Sequence, residues 1–513
     1  MKNRLFSKAN LLSILLLFGC SESVLDKVNP NGSLPLNYYS NQSELTQGIN
    51  GVYAVSQGFN MAAREWWFVH DLRSDDMATG GGQLEVPRAQ ILDGSYTYSN
   101  SVMQSVWDGL NRTVLRANEV IDGSVNAKST PADFVNRVVA EAKFLRAWAY
   151  SDLVLLWGAV PMHRHVPTTL TSASSPRMPV DSIYNFMITD LNAIQQYLPV
   201  SYSGNDVGRV TKGAAQALLG RVLMAKGDYA GAKAALDPIV SSGAYQLMAN
   251  YSDNHLEETP FNKESVFEIG FFNNNMNWNN GDGDNGGGVN EGNAITQELS
   301  CIGWRNLVPS DGLLAEYETV ANGYATNDPR FAASFYMPKD TYNNGASTVD
   351  TSAVQGTKQK YNGVKQKISW KKYTAMYKNN STFYTGQMNL RIIRYAEVLA
   401  NLAECENELG NTATALGYLN QIRNRVSMPN YPTANFPCSN KAQTFAAIQH
   451  ERRVEFANEQ IRNRDIVRWR KNGKLTSEPI SYFTANKYEL MPIPQEEFAT
   501  NGALTNADQN PGY

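Results

Sequence analysis

Cysteine is nearly absent from this chain, with four in 513 residues. One of them, Cys20, closes an N-terminal leader. The three beyond it, Cys301, Cys405 and Cys438, are an odd number and cannot complete a disulfide framework. Stability must therefore come from packing in a body of 494 residues, 513 less the 19 ahead of Cys20, enough for a large core and several lobes. An excess of charge is missing too: 45 Lys and Arg stand against 48 Asp and Glu, a formal net charge of −3. That balance lacks the basic face of a nucleic-acid binder. No Gly-x-Ser-x-Gly elbow, phosphate loop, His-Glu-x-x-His pair or Cys-x-x-Cys motif occurs. Two suitably spaced carboxylates suffice for a glycosidase, so the residues alone leave that class open.

The leader itself is informative. Lys2, Arg4 and Lys8 form a basic start, Leu11 to Phe18 is apolar except for Ser13, and Leu17-Phe18-Gly19-Cys20 ends it. A permanent membrane helix needs roughly 20 apolar residues, so this run is a processing signal. It reads as a lipoprotein signal over residues 1–19, with lipid carried on Cys20, although Phe18 replaces the small residue usual two places before such a cysteine. No second membrane segment is read downstream of it. The body is expected to be exported and tethered at one end.

Helical periodicity is strong on both sides of the middle. Val138, Ala142, Leu145, Ala149, Leu153 and Leu156 recur at intervals of three and four and line one face of a helix. Residues 102–121, 182–198 and 211–226 behave alike. Small residues from Gly213 to Gly220, then Gly227-Asp228-Tyr229 and Ala230, Ala234 and Leu236, predict a tetratricopeptide-type hairpin in which Ala and Gly let two helices approach closely. Residues 391–409 and 412–425, joined at Gly410-Asn411, predict another. Within helices, Arg452 with Glu455 and Arg394 with Glu397 are spaced to pair on one turn. Trp148, Trp157 and Trp469 lie in apolar helical settings and are expected in the core.

Between these halves, from about 241 to 388, the sequence turns irregular, rich in Asn, Gly and Tyr with short β-like runs such as Ser265 to Gly270. Residues 273–293 are dominated by Asn and Gly around Trp278, a composition that favours turns and exposed amides. A surface loop is predicted there. The fold class is thus mainly α, a helical repeat scaffold of about 20–240 and 389–513 carrying a large loop-rich insertion.

Five motifs in order carry a resemblance: Glu141 to Tyr150 with Leu156-Trp157-Gly158; Arg209 to Arg221; Arg394 to Leu399; Glu451 to Phe456 with Arg464-Asp465 and Arg468-Trp469; and Met491 to Pro494 with Asn510 to Tyr513. The chain from Cys20 to Tyr513 resembles the SusD/RagB family of nutrient-binding lipoproteins. That resemblance implies a helical scaffold with tetratricopeptide-like repeats, cell-surface location on the outer membrane, and a SusC-like TonB-dependent transporter as partner. It also implies binding of oligosaccharides without cleavage, hence no catalytic residues and no cofactor. A peptide ligand is the alternative, because some relatives serve peptide importers.

A sugar site needs flat aromatics for C–H faces, with amides, carboxylates and Arg for hydroxyls. Trp278 with Asn279 and Asn280 suits this, and Trp304 with Arg305 is a second candidate. Trp67, beside Trp66 in an apolar run, fits the core better, though one ring could face outward. Asp75 or Asp76 matches an acidic position near the sugar site of some family members, with Arg88, Tyr98 and Asn100 downstream; a paired carboxylate in a turn also serves as a cap. Finally, Asn280, Asp282, Asp284 and Glu291 fall at positions 1, 3, 5 and 12 of a calcium-loop pattern. Asn replaces its leading Asp, Asn285 replaces its turn Gly, and neither flank reads as helical.

Overall fold

The computed structural model describes residues 38–272, 291–352 and 354–513, and helices dominate it. The N-terminal part holds α1 (Gln42–Gln57), α2 (Glu65–Leu72), α3 (Val86–Asp93), α4 (Ser101–Gly123), α5 (Ala132–Trp157), the single turn α6 (Leu170–Ala173), α7 (Val180–Ile194), α8 (Lys212–Lys226) and α9 (Tyr229–Ser241). The middle has only the short α10 (Ile295–Leu299), α11 (Asp311–Glu316) and α12 (Pro329–Ser334) among the described residues. Then come α13 (Tyr395–Glu408), α14 (Thr412–Arg425), α15 (Lys441–Glu455), α16 (Arg462–Lys471) and α17 (Gln495–Thr500).

Consecutive helices pack as hairpins: α4 on α5, α8 on α9, α13 on α14. The α8–α9 hairpin shows why the sequence dictates it. Thr211 caps α8 by accepting from Ala214 N–H, and Gly227 ends it in the left-handed region (φ 86°) that a glycine adopts without penalty. Asp228 immediately caps α9 by accepting from Gly231 N–H. Where the helices cross, a Cβ on Gly220 would lie 2.6 Å from Leu236 Cδ2, so the missing side chain is what lets them close. Helix α9 packs on α13, which joins the two helical halves across the insertion.

The strands are short and all sheets among the described residues are two-stranded. Two of them position the insertion. Ser265–Ile269 pairs antiparallel with Leu390–Arg394, clamping the start of the insertion to its end. Met77–Thr79 pairs with Leu307–Pro309, bringing the segment after α2 beside the segment after α10. The tryptophans at 66, 67, 148, 157, 370 and 469 are fully buried, as expected for 148, 157 and 469.

The local ion pairs expected within helices do not form. Arg452 Nε instead donates to Asp465 Oδ2 at 2.7 Å, and Glu397 pairs with Arg221. Glu455 receives Arg394 at 2.6 Å, Arg330 at 3.0 Å and also Arg425. Arg394 reaches on to Glu264 and Glu459, both at 2.6 Å. These side chains are buried, where a lone i,i+3 pair would leave most hydrogen-bonding sites of both groups unfilled; partners from several segments fill them.

Candidate functional site

An exposed aromatic face is built where the loop after α1 meets the turn after α10. The turn is Gly303-Trp304-Arg305. Gly303 is required there, since a Cβ would stand 2.6 Å from the Gln297 carbonyl oxygen. Arg305 adopts the left-handed region (φ 50°) and its side chain runs inward, 1% exposed. Its guanidinium donates to Ser369 Oγ (2.7 Å), Gln355 O (2.8 Å), Ile368 O (2.8 Å), Gln359 Oε1 (3.0 Å) and Thr357 O (3.2 Å). No carboxylate is among these acceptors, and burial pushes the Arg305 guanidinium down to about 10. With Arg305 anchored inward, the adjacent Trp304 is left half-buried on the surface.

One buried residue, Gln297, positions this ring through its main chain and the neighbouring ring through its side chain. The Gln297 carbonyl accepts from Trp304 N–H at 2.9 Å. Its side-chain amide donates to Thr382 O at 2.9 Å and accepts from Tyr384 N–H at 2.8 Å, gripping the backbone on either side of Phe383. Phe383, 52% exposed, therefore stands edge-on to Trp304 with ring centres 6.3 Å apart. Asn293 pairs with Gly386 close by, and the chain leading to it is tied back by Phe272 N–H donating to Glu291 O.

Arg64 completes the face. Its guanidinium lies 5.6 Å from the ring centres of both Trp304 and Phe59, and 6.0 Å from that of Phe68. Beneath, Arg88 lies 4.6 Å over Phe68, and Trp67 stacks on Phe68 at 4.0 Å. Cations layered between rings gain from the negative π faces and hold the rings in place. Charge is balanced within the layer: Arg64 Nε donates to Glu298 at 2.6 Å and Arg64 meets Glu85 at 2.8 Å, while Arg88 meets Glu65 and Glu85. Burial lifts Glu298 and Glu65 above the usual carboxylate range, even though Arg64 and Arg88 oppose it. For Arg64 burial is again the largest influence, downward, yet Glu298, Glu65 and Glu85 outweigh it and leave the group above its ordinary value. Glu85 and the hydrogen-bonded amides Gln83 and Gln355 form an exposed polar rim. The result is a rigid apolar platform edged by donors and acceptors, suited to a ligand with one flat C–H face and many hydroxyls.

Of the described residues singled out from sequence, Trp304 alone stands on this platform. Trp67 and Arg88 lie directly under it, both buried, and Arg305 is its anchor; none of the three is free to touch a ligand. Asp75 and Asp76, candidates for ligand contact, are likewise already engaged. Asp75 is held by Arg462 (2.6 Å) and Arg453 (2.9 Å), and Asp76, 2% exposed, by Arg453 (2.8 Å). Asn100 is the N-cap of α4, accepting from Val102 and Met103 N–H and donating to Pro87 O. Tyr98 is exposed, but on the side where its carbonyl accepts from Gln495 N–H next to the C-terminal tail. Trp278, Asn279, Asn280, Asp282 and Asp284 lie outside the described residues. Glu291 is described, its carbonyl bound to Phe272. Phe59, Arg64, Glu85, Gln297 and Phe383 are not foreseen. Four of them, Phe59, Arg64, Glu85 and Phe383, sit in connections between helices, and only Gln297 lies in one.

Known proteins point the same way. A model described as "SusD family" matches residues 263–513, and one described as "Starch-binding associating with outer membrane" matches residues 24–224. The chain is 24% identical to SusD-like protein P25 of Formosa agariphila, over 98% of this chain and 99% of that one. Among solved structures it is similar to a laminarin-binding SusD-like protein (26% identity, TM-score 0.75, 93% of this chain and 100% of that one). It is also similar to surface glycan-binding protein A from Bacteroides fluxus (25% identity, TM-score 0.73, 92% and 99%).

Proposed function

Because the chain belongs to the SusD/RagB family, we propose that it captures oligosaccharides on the platform around Trp304 and delivers them to a SusC-like TonB-dependent transporter. Lipid on Cys20 holds it at the outer surface of the outer membrane. The observation that carries this reading is the pairing of half-buried Trp304 with exposed Phe383, both fixed by Gln297. A flexible aromatic would lose part of its stacking energy to ordering; a pinned one does not. The laminarin binding of a structural relative supports the ligand class. The carboxylates beneath the platform are engaged by Arg64 and Arg88, which supports binding without hydrolysis.

Trp278, Asn279 and Asn280 follow Phe272 within eight residues and are proposed as further sugar contacts. Calcium at Asn280, Asp282, Asp284 and Glu291 is proposed as a structural element. A Tm unmoved by calcium or chelator removes it.

The test of the main reading is a titration of the chain from Ser21 onward against oligosaccharides, with peptides as the contrast set. Stacking of one sugar face on an aromatic ring is worth about 1–2 kcal/mol at ~25 cal/mol per Å² of buried apolar surface. Trp304→Ala should therefore weaken binding roughly tenfold while the melting curve stays in place. Binding of peptides alone would keep the family role and overturn the sugar.

A further inference from the structure

Away from Trp304, a second cleft opens between α1, the loop 200–211 and residues 261–270. It consists of two adjoining cavities of about 310 Å³ and about 500 Å³. Phe261 lines both. Its backbone lies in the left-handed region (φ 51°), which a phenylalanine rarely occupies unless its surroundings impose it. Here they do. Phe261 N–H donates to Glu268 Oε1 at 3.1 Å, and Asn389 fixes that oxygen from the other side at 2.6 Å. The rim of the ring is wedged between two glycines: a Cβ on Gly208 would fall 2.8 Å from Phe261 Cζ, and one on Gly270 2.9 Å from the same atom. The ring is thus a fixed partition with a cavity on either side.

The polar groups around it carry little net charge. Arg209 is engaged by Glu141, Asp206 and Asn50, and Glu268 accepts from Phe261 and Asn389. Lys263 on one cavity and Glu291 on the other are opposite in sign. Amides and hydroxyls remain at the mouth, with Asn205 fully on the surface. A wedged aromatic ring, balanced donors and acceptors, and two cavities within the usual range for a small ligand are the chemistry of a neutral sugar. A ligand with several charges of one sign would find them unanswered.

We propose that this cleft is a second carbohydrate site, separate from Trp304, holding a short neutral oligosaccharide with one sugar residue against Phe261 in each cavity. The choice of ligand class rests on the glycan capture proposed for the platform; the site itself does not. The test is calorimetric titration of the chain from Ser21 onward with laminarihexaose, maltohexaose, cellohexaose and xylohexaose, comparing wild type, Trp304→Ala and Phe261→Ala. Two binding events are expected in the wild type with at least one of these sugars. One event should survive in Trp304→Ala, and Phe261→Ala should weaken that surviving event at least tenfold while leaving the other unchanged. If Phe261→Ala unfolds, Asn205→Trp on the exposed loop blocks the larger cavity without entering the core, and the same loss is expected. A single event abolished by Trp304→Ala and indifferent to Phe261→Ala and Asn205→Trp overturns the second site and keeps the first. A single event lost in Phe261→Ala but not in Trp304→Ala supports the cleft and overturns the platform. No binding of any hexasaccharide overturns glycan capture and this proposal together.

Discussion

Replacing Arg305 by alanine should cost about 4 kcal/mol of stability, a magnitude set by how the side chain is held. Five acceptors lie within 3.2 Å of its guanidinium: one hydroxyl, one side-chain amide oxygen and three backbone carbonyls. Hydrogen bonds from a charged donor net roughly 1.5 kcal/mol each at the low end, so the set is worth about 7–8 kcal/mol. Against this stands the cost of burying a cation with no carboxylate beside it. The fall of the guanidinium to about 10, caused chiefly by burial, puts that cost on the order of 3–4 kcal/mol. The difference is the prediction. Urea unfolding of Arg305→Ala beside wild type gives the stability, and titration with a bound oligosaccharide gives the affinity. Affinity should fall as well, because the turn that presents Trp304 loses its anchor. Arg305→Lys, which keeps the charge but not the planar fork, should recover less than half of the loss. If stability stays within about 1 kcal/mol of wild type while affinity drops tenfold, Arg305 touches the ligand and the anchoring argument is wrong.

Gln297→Ala should loosen Phe383 and leave Trp304 on its main-chain bond, since it removes only the side-chain bonds to Thr382 O and Tyr384 N–H. Affinity should fall by less than in Trp304→Ala, with the loss appearing mainly as a less favourable binding entropy; an unchanged titration would show that Phe383 takes no part in binding. His450 makes stability depend on alkaline pH. Burial alone would lower it, but Glu316 at 2.7 Å and Glu318 at 3.2 Å raise it to about 9. Its contribution of about 3 kcal/mol is therefore complete below pH 6.5 and lost as pH climbs through 9. Unfolding free energies measured from pH 6 to 10 should decline in wild type and stay flatter in His450→Gln, and parallel curves would refute the assignment.

Helices and their crossings were readable in the sequence because their causes are local. The three- and four-residue spacing along α5 and the Gly227-Asp228 turn each act within a few residues of chain. The site was legible only at Trp304. Its neighbour Arg305 looked like a second ligand group, and nothing local says that a left-handed residue would turn it inward. Asp75 and Asp76 read as ligand contacts or a cap because Arg453 and Arg462, which neutralise them, come 377 and 387 residues later. Arg64, between two apolar stretches, gains its meaning only from rings contributed by residues 59 and 304.

That separation along the chain has a consequence for biogenesis. A nascent polypeptide that stops short of α15 and α16 contains Asp75, Asp76 and Glu316 but not the arginines that answer them. One that stops before the tail lacks Met491, whose N–H caps Leu156 O, and Asn510, which donates to Trp157 O and Met491 O. Contacts this distant are slow to form and must wait for synthesis to finish. Truncated or stalled products would lack the cations that let these carboxylates be buried and the groups that close these helix ends, so the N-terminal helices cannot complete their packing until the tail has been made.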